Sequence, residues 1–229
     1  MKILKWIIWI LYPVFLVALF ASLLTTRPYI LFSEGQYATH DGEGTTPQGE
    51  TYEFDHTYVS TQLIDYLNYR QDDLYFGAYP EDDEPVMRDI EIRHMEDVRD
   101  VYTLVRGAGL FALLGVLIGG AVLYLNNRRA FYETLRDAFY LPMFFILFVG
   151  GWFLIDFSAA FTVFHELFFD NDDWILRSGD VLIRILPQMF WLISGMIILA
   201  LLTGTIIVTS WAGRTLLKRH AIEGGTHDE

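Results

Sequence analysis

Cysteine is absent from the 229 residues. That excludes a disulfide framework, a thiolate nucleophile and any cysteine metal site, so acyl chemistry here would have to run through another residue type. Positive charge is also scarce: 16 Lys and Arg stand against 29 Asp and Glu, a formal net of −13. Such a balance argues against nucleic acid as a partner and against a flat polybasic contact with anionic headgroups. No serine sits in a Gly-x-Ser-x-Gly elbow, no His-x-His pair occurs, and there is no ATP-binding motif, internal repeat or low-complexity segment.

What the chain has instead is apolar sequence gathered into long runs. Hydrophobic residues make up 53% and aromatic residues 16%, while the charges are confined between the runs. Mostly apolar stretches extend from Trp6 to Leu24, Gly107 to Leu125, Ala138 to Ile155 and Ile185 to Gly213. Each suffices to cross ~30 Å of hydrocarbon at ~1.5 Å per residue. The expected fold class is therefore membrane all-α, with four transmembrane helices and a small extracellular α/β cap. The expected division is helix one over 1–26, an acidic cap over 27–106, helix two over 107–125 and a cytoplasmic loop over 126–137. Helix three follows over 138–157, an aromatic-rich outer segment over 158–184, helix four over 185–213 and a tail over 214–229. A cleaved signal peptide is the rival reading of the first run. That run is longer than a signal h-region of ~7–15 residues, and Ala18-Leu19-Phe20-Ala21 has the wrong spacing for cleavage, so helix one is expected to be retained.

Orientation follows from Lys and Arg near the helix ends, since the cytoplasmic side keeps the excess. The N-terminus, the 126–137 loop and the tail after Gly213 hold eight basic residues against five acids. The 27–106 segment holds six against eighteen, and the 156–184 segment two against six. A multi-pass plasma-membrane protein with both termini cytoplasmic and the cap extracellular is expected.

Within the cap, Asp41-Gly42-Glu43-Gly44 and Thr45–Gly49 read as a loop, and Glu81–Glu84 before Pro85 as a solvated turn. Thr51–Val59 alternates with Tyr52, Phe54, His56 and Tyr58 on one side, which predicts a half-buried strand. Ser60–Tyr69 predicts a short helix with Leu63, Ile64 and Leu67 inward. From Asp89 the pattern turns helical, with Ile90, His94, Asp97 or Val98, and Val101 on one side, and it enters helix two without a breaker.

Two histidines fall at the same outer boundary. His94 lies in Arg93-His94-Met95-Glu96-Asp97-Val98, ahead of helix two, and His165 in Phe164-His165-Glu166-Leu167-Phe168-Phe169, after helix three. Glu91 and Asp97 are each three residues from His94, so Asp97 is expected to hold one ring nitrogen. Phe161, Phe168 and Phe169 lie four before and three and four after His165, which sets the second imidazole among aromatic rings. The run from Phe157 to Trp174 has helical spacing that core packing or an interfacial belt also produces. Asp156 reads as an interfacial cap. His165-Glu166 opens like a zincin helix, but Phe169 occupies the position of the second His, so no metal site is expected there.

Around these residues the chain resembles a family, the lipoprotein intramolecular transacylases of bacterial membranes. The resemblance is carried by the two histidine segments, by Asn171-Asp172-Asp173-Trp174 and by Ile185-Leu186-Pro187-Gln188-Met189-Phe190. It covers about Asp89 to Phe190 well and Thr39 to Asp83 poorly. It implies catalytic His94 and His165, no cofactor, a diacylated lipoprotein substrate and membrane lipid as the surroundings. The implied reaction moves an acyl chain from the sn-2 oxygen of a diacylglyceryl-cysteine to the α-amine of that cysteine, giving the lyso-form. Supporting roles fall to Glu91, Arg93, Asp97 and Glu166, and an acyl pocket to Phe161, Phe164, Phe168, Phe169 and Trp174. His94 is expected to be the base, with Asp97 raising its basicity, and His165 to stay neutral and donate. Two readings compete: a non-catalytic membrane protein whose acidic outer domain binds or senses a partner, and a metal-dependent membrane hydrolase. Topology is testable at once. A reporter fused in the 126–137 loop should be cytoplasmic and one near Gly44 outside; finding both on one side would defeat the four-helix plan.

Overall fold

The computed structural model describes residues 1–37, 42–46 and 49–225. Helices dominate: α1 (Lys2–Leu24), α2 (Arg27–Tyr37), α3 (His56–Leu67), α4 (Asp89–Asn126), α5 (Arg128–Asp137), α6 (Tyr140–Phe145), α7 (Gly151–Ile155), α8 (Phe157–Phe168), α9 (Val181–Ile185) and α10 (Gln188–Gly225). A π turn over Ile146–Gly150 joins α6 to α7. Strands β1 (Glu43–Thr45) and β2 (Thr51–Glu53) form an antiparallel pair with Gly44 opposite Tyr52. Four helices are long and apolar enough to cross a membrane: Lys2–Leu24, Asp89–Asn126, Arg128–Ile155 and Gln188–Ile222.

The chain divides into two compact units. One comprises Met1–Phe20, Val105–Ile155 and Met196–Glu229. Many large apolar side chains are exposed here, including Phe111, Leu125, Leu147 and Ile155, as befits surface that meets acyl chains rather than water. Helices here pack through large side chains, as Leu16 and Phe20 do with Leu202 and Ile206, and also through glycines. A Cβ added at Gly109 would collide with Ala18, and one at Gly115 with Leu11, so both glycines let α4 approach α1 closely. Polar contacts join the same unit: the Tyr12 and Thr209 hydroxyls lie 2.6 Å apart, Ser210 donates to the Arg136 carbonyl at 2.7 Å, and Lys5 pairs with Glu133 at 2.7 Å. The expected 126–137 loop is mostly helix, because Asn127 caps α5 by accepting the Ala130 N–H.

The other unit comprises Ala21–Leu104 and Asp156–Gly195. Its core gathers Phe54, Val59, Leu63, Tyr66, Leu74, Met87, Ile92, Met95, Val181 and Ile185. Arg27 holds the buried Asp65 carboxylate through both oxygens, and Asn68 donates to the Thr25 carbonyl at 3.0 Å, fastening α3 to the start of α2. The strand expected over Thr51–Val59 stops at Glu53. Asp55 adopts an N-cap and accepts the Tyr58 N–H, so the helix begins at His56 and overrides the alternation. Part of the loop expected around Gly44 is strand β1, whose Thr45 N–H donates to the Gly179 carbonyl at 2.9 Å; Asp41, Pro47 and Gln48 lie outside the described residues. Glu81–Glu84 is an exposed turn, as expected.

Leu63 is fully buried in this core. Leu63→Ala should therefore lower stability by ~2–5 kcal/mol, the usual cost of truncating a buried leucine, read as a fall in melting temperature of the purified protein.

Candidate functional site

Helix α4 carries charge over Asp89–Arg106 and becomes apolar from Gly107. In its first turns Glu91, Ile92, His94 and Met95 are buried while Arg93 and Glu96 are exposed. The inward side thus centres on Glu91, Ile92 and Met95, where Ile90 was expected. His94 lies roughly three and a half turns before the apolar stretch.

His165 comes from α8. Asp156 caps that helix by accepting the Ala159 N–H at 3.0 Å, as expected of it. At the other end the chain turns extended at Phe169, whose N–H donates to the His165 carbonyl. This turn swings the Phe169 ring onto both imidazoles, 5.2 Å from His94 and 5.6 Å from His165. Phe161 lies 4.0 Å from the His165 ring and Trp174 4.9 Å. The two imidazole centroids are 5.8 Å apart, and each residue is 7% exposed.

The expected aromatic surround is thus only partly met. Phe161, Phe169 and Trp174 enclose His165; Phe164 touches it edge-on at 5.5 Å but is exposed, and Phe168 pairs with Phe164 rather than with the histidine. A cavity of about 130 Å³ is lined by Asp97, Asp100, Phe168, Phe169 and Asn171 among others. That is below the ~300–1,000 Å³ of ordinary ligand pockets.

Charged residues fare differently from one another. Asp97 accepts from the Asn171 side chain at 2.8 Å, and His94 Nδ1 has no hydrogen-bond partner among the described residues, so Asp97 does not hold that ring nitrogen as expected. Arg93 forks onto Asp173 at 2.8 and 3.1 Å. Glu166 is exposed. Glu91 is fully buried and accepts the backbone N–H groups of Leu182 and Arg88, each at 2.9 Å. Among the described residues no group of three or more His, Asp or Glu side chains is arranged to hold a metal ion.

Sequence reasoning did not single out Arg88 or Asp180. Arg88 Nε donates to Asp180 Oδ1 at 2.9 Å and its Nη2 to Oδ2. These partners are 92 positions apart, and no local spacing announces such a pair.

Burial decides the electrostatics. His94 is pushed down from 6.5 to about 4, chiefly because its charged form would be desolvated and next because of repulsion from His165; the pull of Asp97 is weaker. His165 is also lowered by burial, against the opposing hydrogen bond to the Phe161 carbonyl. That bond settles a tautomer. A carbonyl only accepts, so His165 Nδ1 carries the proton, 2.8 Å from Phe161 O, and Nε2 presents a lone pair.

Comparison with known proteins gives a consistent picture. The family described as lipoprotein intramolecular transacylase Lit matches residues 4–191. A curated relative from Aquifex aeolicus (strain VF5), described as an uncharacterized protein, is 30% identical over 133 residues. The match spans 57% of this chain and only 59% of that relative's length. The fold matches solved structures of the membrane integral lipoprotein intramolecular transacylase Lit from Bacillus cereus. One has a TM-score of 0.69 at 18% identity, covering 96% of this chain and 97% of that one. Another, carrying a histidine substitution, has a TM-score of 0.71 at 19% identity, covering 97% and 94%.

A pH dependence of stability follows from the buried pair. Because His94 is depressed, the unfolded chain takes up the proton first on acidification. Its stabilising effect is complete above pH 6.5 and is lost as pH falls toward 4, a change of about 3 kcal/mol at 1.36 kcal/mol per unit. His94→Phe should flatten this acid slope, seen as a smaller drop in melting temperature between pH 7 and pH 4.5 than in the unaltered protein.

Proposed function

We propose a reaction from one premise: the chain belongs to the lipoprotein intramolecular transacylase family. The enzyme takes a diacylglyceryl-cysteine lipoprotein held in membrane lipid. It moves the sn-2 acyl chain onto the α-amine of the same cysteine and releases the lyso-form lipoprotein. Its termini face the cytoplasm and the unit bearing the histidines lies outside, as the segregation of basic residues supports.

The observation that carries the reading is the buried pair, His94 and His165, with centroids 5.8 Å apart. The amine nitrogen attacks the acyl carbon, a C–N bond forms, and the bond between the acyl carbon and the sn-2 oxygen breaks, so that this oxygen leaves on the glyceryl group. His165 Nε2, with its lone pair fixed by the Phe161 contact, takes the proton shed by the amine and passes it to the leaving oxygen. His94, kept neutral by burial, donates a ring N–H to the oxyanion that develops on the acyl carbonyl. This reverses the roles expected from Asp97, which is engaged by Asn171. Ester to amide is downhill, so no energy source is required. Rings closing around the site exclude water, which would otherwise hydrolyse the ester, and holding both ends of one substrate supplies effective molarities up to ~10⁵–10⁸ M.

Groups that share one passage over the barrier are non-additive when removed. His94→Ala and His165→Ala should each lower formation of N-acylated lyso-product by ~10²–10⁴-fold, with the double variant little worse than either single one. Mass spectrometry of a diacylglyceryl peptide incubated with purified variants reads this directly. Near-normal rates in both folded single variants would defeat the mechanism, and fatty-acid release from a peptide already N-acylated would indicate a hydrolase.

A further inference from the structure

We infer that Glu91 is a positioning residue for His94: one buried carboxylate caps the N-termini of both α4 and α9 and so sets where the His94 ring is presented. The inference rests on the reading of His94 as part of the acyl-transfer machinery.

Glu91 is the third residue of α4, and its Oε2 reaches back to the N–H of Arg88, the residue preceding the helix. This is the returning half of a capping box. Its Oε1 accepts the N–H of Leu182, the second residue of α9. The side chain of Asp180, the N-cap of α9, makes no capping bond to its own helix. Its carboxylate is taken by the Arg88 fork and by the Arg177 N–H at 2.7 Å. The two helix starts therefore exchange partners, the acid of α4 capping α9 and the acid of α9 binding the residue before α4.

Glu91 is wholly shielded from water and Asp180 is 1% exposed. A buried carboxylate is costly unless fully bonded, so the arrangement tolerates little displacement. His94 follows Glu91 by three residues, one turn along the same helix, and among the described residues nothing hydrogen-bonds its Nδ1 to steady the ring. The helix must be held for the ring to be held. Burial also raises the Glu91 carboxyl above its usual range, opposed by the two N–H bonds, as fits a group retained for geometry in spite of its desolvation.

The test uses the purified full-length protein and a diacylglyceryl peptide. Glu91→Gln keeps the shape but turns an amide N–H₂ toward one of the two N–H donors. It should lower kcat by roughly 10–10²-fold, as expected for misplacing a catalytic group, with KM little changed. The His94 ring resonance should titrate nearer pH 6.5 as water gains access. Glu91→Asp, which keeps the charge, should recover part of the rate. Asp65→Asn breaks a different buried ion pair in the same unit and should leave kcat nearly intact at a temperature where both variants stay folded. If Glu91→Gln does not fold, Asp180→Asn carries the same expectation by freeing Arg88. A Glu91→Gln enzyme with near-normal kcat and an unmoved His94 titration would overturn the inference while His94→Ala remained inactive. An Asp65→Asn enzyme equally impaired in kcat would also overturn it, since the loss would then be one of general stability. Activity in His94→Ala would instead remove the reading beneath it.

Discussion

Two imidazoles side by side in a dry setting can be kept there only uncharged. A proton on either ring would face both desolvation and the neighbouring ring, and the depressed titration of His94 expresses both costs. The rest of the site follows from this constraint. Neutral rings have one donor and one acceptor nitrogen apiece, so a single backbone contact, His165 to the Phe161 carbonyl, is enough to assign the tautomer of that ring. Aromatic neighbours suit such a pair because they exclude water without contributing charge. Phe161, Phe169 and Trp174 do this for His165.

Keeping the pair dry requires the stretch after α8 to be held against the start of α4. Three contacts do so within about two turns of α4: Glu91 with the Leu182 N–H, Arg93 with Asp173, and Asp97 with Asn171. They differ in character. The Arg93 pair is more than half exposed on the arginine side, so screening weakens it. Glu91 is buried and bonded on both oxygens, which makes it the least replaceable of the three. A strongly acidic unit thus uses a few carboxylates, Glu91, Asp65 and Asp180, for structure where water is scarce and leaves others, such as Glu81 to Glu84, solvated.

How much could be read in advance depended on whether the deciding partner was local. The spans from Trp6, Gly107, Ala138 and Ile185 were legible because hydropathy over some twenty residues is a property of the segment itself. The cap at Asp156 was legible for the same reason: its partner is three residues away. Asp55 carried an equally local signal, yet the alternation through Tyr58 was read as strand; a capped helix start outweighs a periodicity of two over so short a stretch.

Both histidines and part of the aromatic company of His165 could be named from the order of residues alone. Their separation and protonation could not. Glu91 and Asp97 stand at the same distance from His94 along the chain, so spacing treats them alike. The tertiary structure gives one to a backbone N–H 91 positions away and the other to a side chain 74 positions away. Which acid is buried, which nitrogen bears the proton and which aromatic rings close on the imidazoles are decided by contacts between segments far apart in the chain. Sequence determines what each segment can bury or bond; only folding decides which distant group it meets there, because desolvation and hydrogen bonding act on atoms brought together in space.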